Sequence, residues 1–178
     1  MKLHELLKGL DILSYTADMD ADIREVQYSR LVEGGDLFIA VPGAAADGHR
    51  FIPMAVEKGA SCVLCEKAPE GDVPYVQVAD SRRALAVVGG NRFDHPAREL
   101  TMIGVTGTSG KTTSTYLIKS ILEQKAGAKV GLIGTIQNMI GDRALHTERT
   151  TPESFELQRL LREMSDAGCT HVVMEVSS

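Results

Sequence analysis

Apolar positions along this chain fall in short blocks whose spacing alternates between a strand-like and a helix-like period. A helix is predicted over residues 4–10 and a strand over 23–28. A tight apolar strand follows at 37–41, ended by Pro42-Gly43, and then a helix over 51–58 with Gly59 as its stop signal. Strands are predicted at Cys62-Val-Leu-Cys65 and Tyr75-Val-Gln-Val78, and a helix over 80–92 capped by Asp80 or Ser81. The polar run Asp94-His-Pro-Ala-Arg98 reads as a linker. Beyond it come a strand (100–105), a glycine-rich turn, a helix (114–124) and a strand (129–133). The polar segment 135–150 carries a hairpin signal at Gly141-Asp142. Thr151-Pro152-Glu153 reads as a helix start, with a threonine cap, proline at the first helical position and an acid in the first turn. That helix runs to about residue 167, before Gly168, and a buried strand spans 171–176.

The fold class expected from this order is α/β. A small mixed α/β N-terminal domain (1–98) is followed by a truncated P-loop NTPase-like domain with a parallel sheet (99–178). Doubly wound sheets carry functional loops at the carboxyl ends of their strands, and the sequence stops where such a loop is expected. A truncated chain is therefore the expectation, its last strand presenting an open edge or an uncovered face.

Composition narrows the function classes. At 178 residues with 43% hydrophobic and 24% charged positions, the chain is an ordinary globular one. A net charge of −5 and the absence of a basic run argue against nucleic acid as a partner. The N-terminal apolar stretch is interrupted by charge, so neither a signal peptide nor a membrane span is expected, and a cytoplasmic location is the default. Cys62 and Cys65 form a C-x-x-C, but on a strand they face opposite ways and no second ligand pair completes a zinc site. Core packing is expected for both.

The decisive chemistry lies in Gly104-Val-Thr-Gly-Thr-Ser-Gly-Lys-Thr-Thr113. A glycine-rich turn between strand and helix aims backbone N–H groups at the positive end of a helix dipole, which suits the phosphates of ATP or GTP. Gly107, Thr108, Ser109, Gly110, Lys111, Thr112 and Thr113 form the candidate nucleotide site. Lys111 would reach the β- and γ-phosphates and Thr112 would sit on Mg²⁺. Val105 stands where the usual P-loop spacing has its first glycine. By spacing alone, Glu175 reads equally as a ligand for that metal or as a surface acid on an edge strand.

Five stretches together resemble the Mur ligase family, and within it the MurE branch. They are Val26-Gln-Tyr-Ser-Arg30, Gly35-Asp-Leu-Phe-Ile-Ala-Val-Pro-Gly43 with Asp47-Gly-His-Arg-Phe51, Thr106-Gly-Thr-Ser-Gly-Lys-Thr-Thr113, Thr150-Thr-Pro-Glu153 and Met174-Glu-Val-Ser-Ser178. In that family a valine at the Val105 position is normal. The resemblance implies an ATP- and Mg²⁺-dependent ligase acting on UDP-N-acetylmuramoyl-L-alanyl-D-glutamate. Its D-glutamate carboxylate attacks the γ-phosphate, giving an acyl phosphate and ADP, and a diamino acid (meso-diaminopimelate or L-lysine) then displaces phosphate to form an amide. It further implies Thr112 and Glu175 as metal ligands, Lys111 and Thr112 as the catalytic pair, and Thr150, Thr151 and Ser177 as contacts to the muramoyl peptide. Ser29 and the loop Ala44-Ala45-Ala46 match positions that meet the UDP moiety, where alanines can offer only backbone groups.

Departures from the family pattern are Tyr28 for an aspartate, Ser109 for an asparagine and Arg149 for an asparagine. His49, His95, His146 and His171 show no partner pattern and read as structural or solvent-facing. The family's modified lysine, histidine and peptide-binding arginine are implied beyond residue 178, so little ligase turnover is expected from these residues alone. Two other classes compete: a non-catalytic nucleotide- or UDP-sugar-binding module, and another P-loop enzyme such as MurF, a kinase or a folylpolyglutamate-synthase-like ligase.

Overall fold

The computed structural model describes residues 1–43, 46–145 and 150–177. Two compact units divide the chain, Met1–Arg92 and Phe93–Ser178. The division lies just ahead of the predicted linker because residues 93–98 pack within the second unit. The Phe93 ring lies 5.3 Å from that of Phe155, and the 3₁₀ turn Pro96–Arg98 leads directly into the next strand.

The first unit is built on a five-stranded sheet of order β1-β5-β4-β3-β2. Its strands are β1 (Ile12–Tyr15), β2 (Val26–Gln27), β3 (Leu37–Ile39), β4 (Cys62–Cys65) and β5 (Tyr75–Val78). The interior strands β3 and β4 are buried at every position, as expected for parallel strands covered on both faces. β1 escapes sequence detection because Ser14 interrupts a short apolar run. It pairs antiparallel at the edge beside β5, with half-buried and exposed positions alternating, and its Ser14 hydroxyl donates to Gln77 at 2.8 Å. Helices α1 (Leu3–Leu6), α2 (Ile52–Glu57) and α3 (Ser81–Arg92) complete the unit. α2 continues a 3₁₀ turn, Gly48–Phe51, and buries Ile52 and Ala55 against Phe38, Val63 and Cys65. Asp36, wholly buried, is gripped by two Arg24 nitrogens at 3.0 and 3.1 Å and accepts from the Glu33 amide. The Gly35-Asp36 pair is thus a device for starting β3.

Both cysteines of the C-x-x-C are free and buried in β4. Burial pushes the Cys62 thiol up to about 12 and that of Cys65 up to about 11. Neither is a thiolate near neutral pH, so packing is their role. His49 is structural: its Nε2 accepts from the Glu66 amide at 2.9 Å while Nδ1 lies 2.6 Å from Asp47.

The second unit holds a five-stranded sheet of order β6-β10-β7-β8-β9. The strands are β6 (Thr101–Val105), β7 (Val130–Ile133), β8 (Asn138–Ile140), β9 (Arg143–Leu145) and β10 (His171–Glu175). β6, β10 and β7 run parallel, whereas β8 and β9 form an antiparallel hairpin turning at Gly141-Asp142. The sheet is therefore mixed rather than parallel throughout. The expectation for the last strand is also corrected: β10 is no edge strand, because it inserts between β6 and β7 and pairs with both. Helix α4 (Lys111–Ala126) covers one face through Tyr116, Ile118 and Leu122 over Val130, Leu132 and Val173. Helix α5 (Ser154–Asp166) covers the other through Leu161 and Met164 over Ile133 and Val172.

Both helix starts differ from the sequence expectation. α4 begins at Lys111, before its apolar periodicity sets in, so Lys111, Thr112 and Thr113 occupy its first turn. α5 begins at Ser154 with Glu153 as N-cap, and Thr151 does not cap it. A residue before proline is disfavoured in the helical region, which leaves Thr151 outside the helix and its hydroxyl available elsewhere.

Candidate nucleotide and metal site

At the carboxyl end of β6 the chain turns through Thr106–Gly110 into α4. Gly107 at φ 147° and Gly110 at φ 77° take backbone conformations that side-chain-bearing residues seldom adopt. This brings the loop round so that it meets the amino end of a 16-residue helix. The first-turn amides there have no partner within the helix, and the helix dipole adds positive potential. Residues 107–110 are exposed, while Lys111 and Thr112 are half-buried. The Lys111 ammonium folds back to donate to the Gly107 carbonyl at 2.7 Å, so the cation already lies over the loop.

β10 delivers Glu175 beside this loop, in register with Val105 of β6. The carboxylate is 1% exposed. The surface-acid reading of Glu175 is thereby excluded. Oε2 accepts from the Thr112 hydroxyl at 3.1 Å and from the Thr135 hydroxyl at 3.0 Å; Oε1 accepts from the Thr135 amide at 3.1 Å. Among the described residues no cationic side chain pairs with it. Each hydrogen bond to a charged group contributes about 1.5–3 kcal/mol. Burying an ion costs several kcal/mol, so three such bonds roughly offset the burial and do not exceed it by much. A buried carboxylate and a hydroxyl at this separation, both oxygen donors, match the preferences of a hard divalent cation. The residues present therefore fit Mg²⁺.

A hydroxyl cluster extends from this point. Thr150 lies 3.1 Å from the Thr135 hydroxyl. Thr151 Oγ1 donates to the Glu175 carbonyl at 3.1 Å and accepts from the Ser177 amide at 3.0 Å, with the Ser177 hydroxyl also 3.1 Å away. The structure thus gathers Lys111, Thr112, Glu175, Thr150, Thr151 and Ser177 at one end of the second sheet, with Thr108, Ser109 and Thr113 exposed around them. Thr135 and Gly134 were not singled out by sequence reasoning. Their signal was available, since they directly follow β7 at the carboxyl end of the sheet, where functional loops concentrate.

The remaining sequence candidates belong to the first unit. The Ser29 hydroxyl accepts from the Leu31 amide at 3.3 Å, closing a short turn, and Ala46 accepts from the Gly43 amide at 3.0 Å. Ala44 and Ala45 lie outside the described residues, as do His146 and Arg149.

Profiles of known families match both units. Residues 27–94 match the one described as Mur ligase family, catalytic domain, and residues 105–178 match the Mur ligase middle domain. The chain belongs to the Mur ligase family. Mur ligases are ATP-dependent ligases. Among curated relatives, the UDP-N-acetylmuramoyl-L-alanyl-D-glutamate--2,6-diaminopimelate ligase of Clostridium tetani is 48% identical across the whole chain, and its counterpart in Bacteroides fragilis is 46% identical. The chain spans 38% and 37% of their respective lengths. A solved structure of a ligase with the same name superposes with a TM-score of 0.78 over 99% of this chain and 36% of that one, at 23% identity, which bears on the fold alone. MurF of Thermotoga maritima in complex with ADP gives 0.56 over 89% of this chain and 33% of that one, at 27% identity.

Proposed function

We propose that this chain carries the substrate-binding and nucleotide-binding units of a Mur ligase that joins a diamino acid to UDP-N-acetylmuramoyl-L-alanyl-D-glutamate. The names borne by its relatives favour 2,6-diaminopimelate over L-lysine as the incoming amino acid. The reaction is a cytoplasmic step of peptidoglycan precursor synthesis. The observation that carries this reading is the Lys111–Thr112–Glu175 arrangement, in which a phosphate-binding helix start and a buried carboxylate meet at one hydroxyl.

In this reading the N–H groups from Gly107 to Thr113 surround the triphosphate of ATP, and Lys111 leaves the Gly107 carbonyl for the β- and γ-phosphates. Thr112 and Glu175 hold Mg²⁺, which supplies charge neutralisation as the substrate carboxylate approaches the γ-phosphate. Thr150, Thr151 and Ser177 orient the anionic muramoyl peptide by hydroxyl contacts, while Ser29 and the 44–46 loop meet the UDP group. Because anions crowd the first step, these residues act by positioning and by offsetting charge, and none needs to form a covalent bond.

Titration of the chain with Mg·ATP tests this. Lys111→Ala removes one charge-assisted contact worth about 1.5–3 kcal/mol, so affinity should fall tenfold or more. Equal affinity in the two proteins would remove the nucleotide reading.

A further inference from the structure

We propose that Thr135 is the positioning residue that aims Glu175 at the nucleotide's divalent cation and couples it to Thr150. The inference rests on the reading above that Thr112 and Glu175 hold that cation.

Thr135 alone among the described residues bonds both oxygens of the Glu175 carboxylate, through its amide to Oε1 and its hydroxyl to Oε2. Two contacts from one residue fix the plane of a carboxylate, where a single contact leaves it free to rotate. The backbone beside it is pressed close for this purpose. A Cβ on Gly134 would come within 2.5 Å of Glu175 Oε1, and the Gly134 amide is itself tied to the buried Asn138 side chain at 3.2 Å. The end of β7 is therefore held against the acid.

The hydroxyl protons can be followed one by one. A threonine hydroxyl has one proton and two lone pairs. Thr135 gives its proton to Glu175 Oε2, so the contact with Thr150 must have Thr150 as donor. Thr112 also gives its proton to Oε2, which leaves its lone pairs for a cation. The result is a directed chain from Thr150 to Thr135 to Glu175, with Thr112 converging on the same oxygen. Thr135 is exposed and lies outside the packed layers, so its hydroxyl serves this chain rather than the core. Groups that orient a metal-binding side chain commonly govern metal affinity by 10- to 100-fold.

The test compares wild type, Thr135→Val, Thr135→Ser and Glu175→Gln by ATP titration. The readout is the gain in ATP affinity on adding Mg²⁺, each protein referred to its own affinity in EDTA. Thr135→Val should lose roughly 10- to 100-fold of that gain, as expected for an orienting group, and Thr135→Ser should retain it. Mn²⁺ in place of Mg²⁺ allows the same loss to be read as a change in the electron paramagnetic resonance signal of the bound ion. The proposal is overturned if Thr135→Val keeps the full gain while Glu175→Gln loses it, or if Thr135→Ser loses as much as Thr135→Val. Absence of any gain in wild type would instead overturn the cation reading itself, and this inference with it.

Discussion

At the scale of single residues, the site depends on how little space surrounds Glu175. The acid reaches the loop because Gly134 has no side chain, and an added methyl would meet a carboxylate oxygen that is itself held in place. Gly134→Ala should therefore lower the thermal stability of the second unit, by about 1–3 kcal/mol as in other overpacked sites. It should also lower the Mg²⁺-dependent part of ATP binding; calorimetry and the same titration check both. Retained binding with unchanged melting would mean that the carboxylate moves aside without cost. The P-loop spacing marked Lys111 and Thr112 as candidates, whereas spacing left Glu175 equally a ligand or a surface acid and only the family resemblance favoured the metal. Gly134 and Thr135 offered only their place just after β7, because the close approach that gives them a role joins strands remote in sequence and leaves no local mark.

Among the elements, the placement of α5 illustrates what a local pattern can and cannot convey. Thr-Pro-Glu looks like a helix start in isolation, and a helix does form there, but the Thr151 hydroxyl is drawn to the end of β10. A tertiary partner thus outcompetes the local cap. At its far end, α5 is tied to the approach to β6 by Glu99, whose carboxylate takes both Arg162 guanidinium nitrogens at 2.9 and 2.7 Å and the Ser165 hydroxyl. These bonds hold the Glu99 carboxyl down to about 2 from an ordinary 4.5. A group depressed in the folded state stabilises it above the ordinary pKa, and that contribution fades as pH falls from 4.5 towards 2. The pair is partly exposed, so the effect is modest. Thermal unfolding followed across this range should show a shallower loss of stability in Glu99→Gln than in wild type. Parallel curves would show that the bridge contributes nothing to folding.

For the whole molecule, the two units and their element order were largely readable, because hydrophobic period and turn residues express them directly. The edge strand β1 and the position of β10 were not, since strand order in a sheet is set by packing and leaves no mark on local sequence. The two proposed sites belong to different units, and hydrogen exchange can test that assignment. Mg·ATP should first slow amide exchange at the 106–113 loop and at residues 134 and 135. A UDP-sugar nucleotide should first slow exchange around residues 29–31 and 43–48. Reversal of the two patterns would show that the roles of the units have been exchanged.

The insertion of β10 between β6 and β7 also determines when the second sheet can come together during synthesis. Both neighbours are synthesised before residues 171–175 exist, and until then their facing edges have no strand to zip onto. A nascent chain halted in that interval displays sticky backbone and apolar surface, the kind of species that chaperones hold and that aggregates when they do not. The first unit shares this delay at one edge, since β1 pairs with β5, the last strand of its sheet to be made.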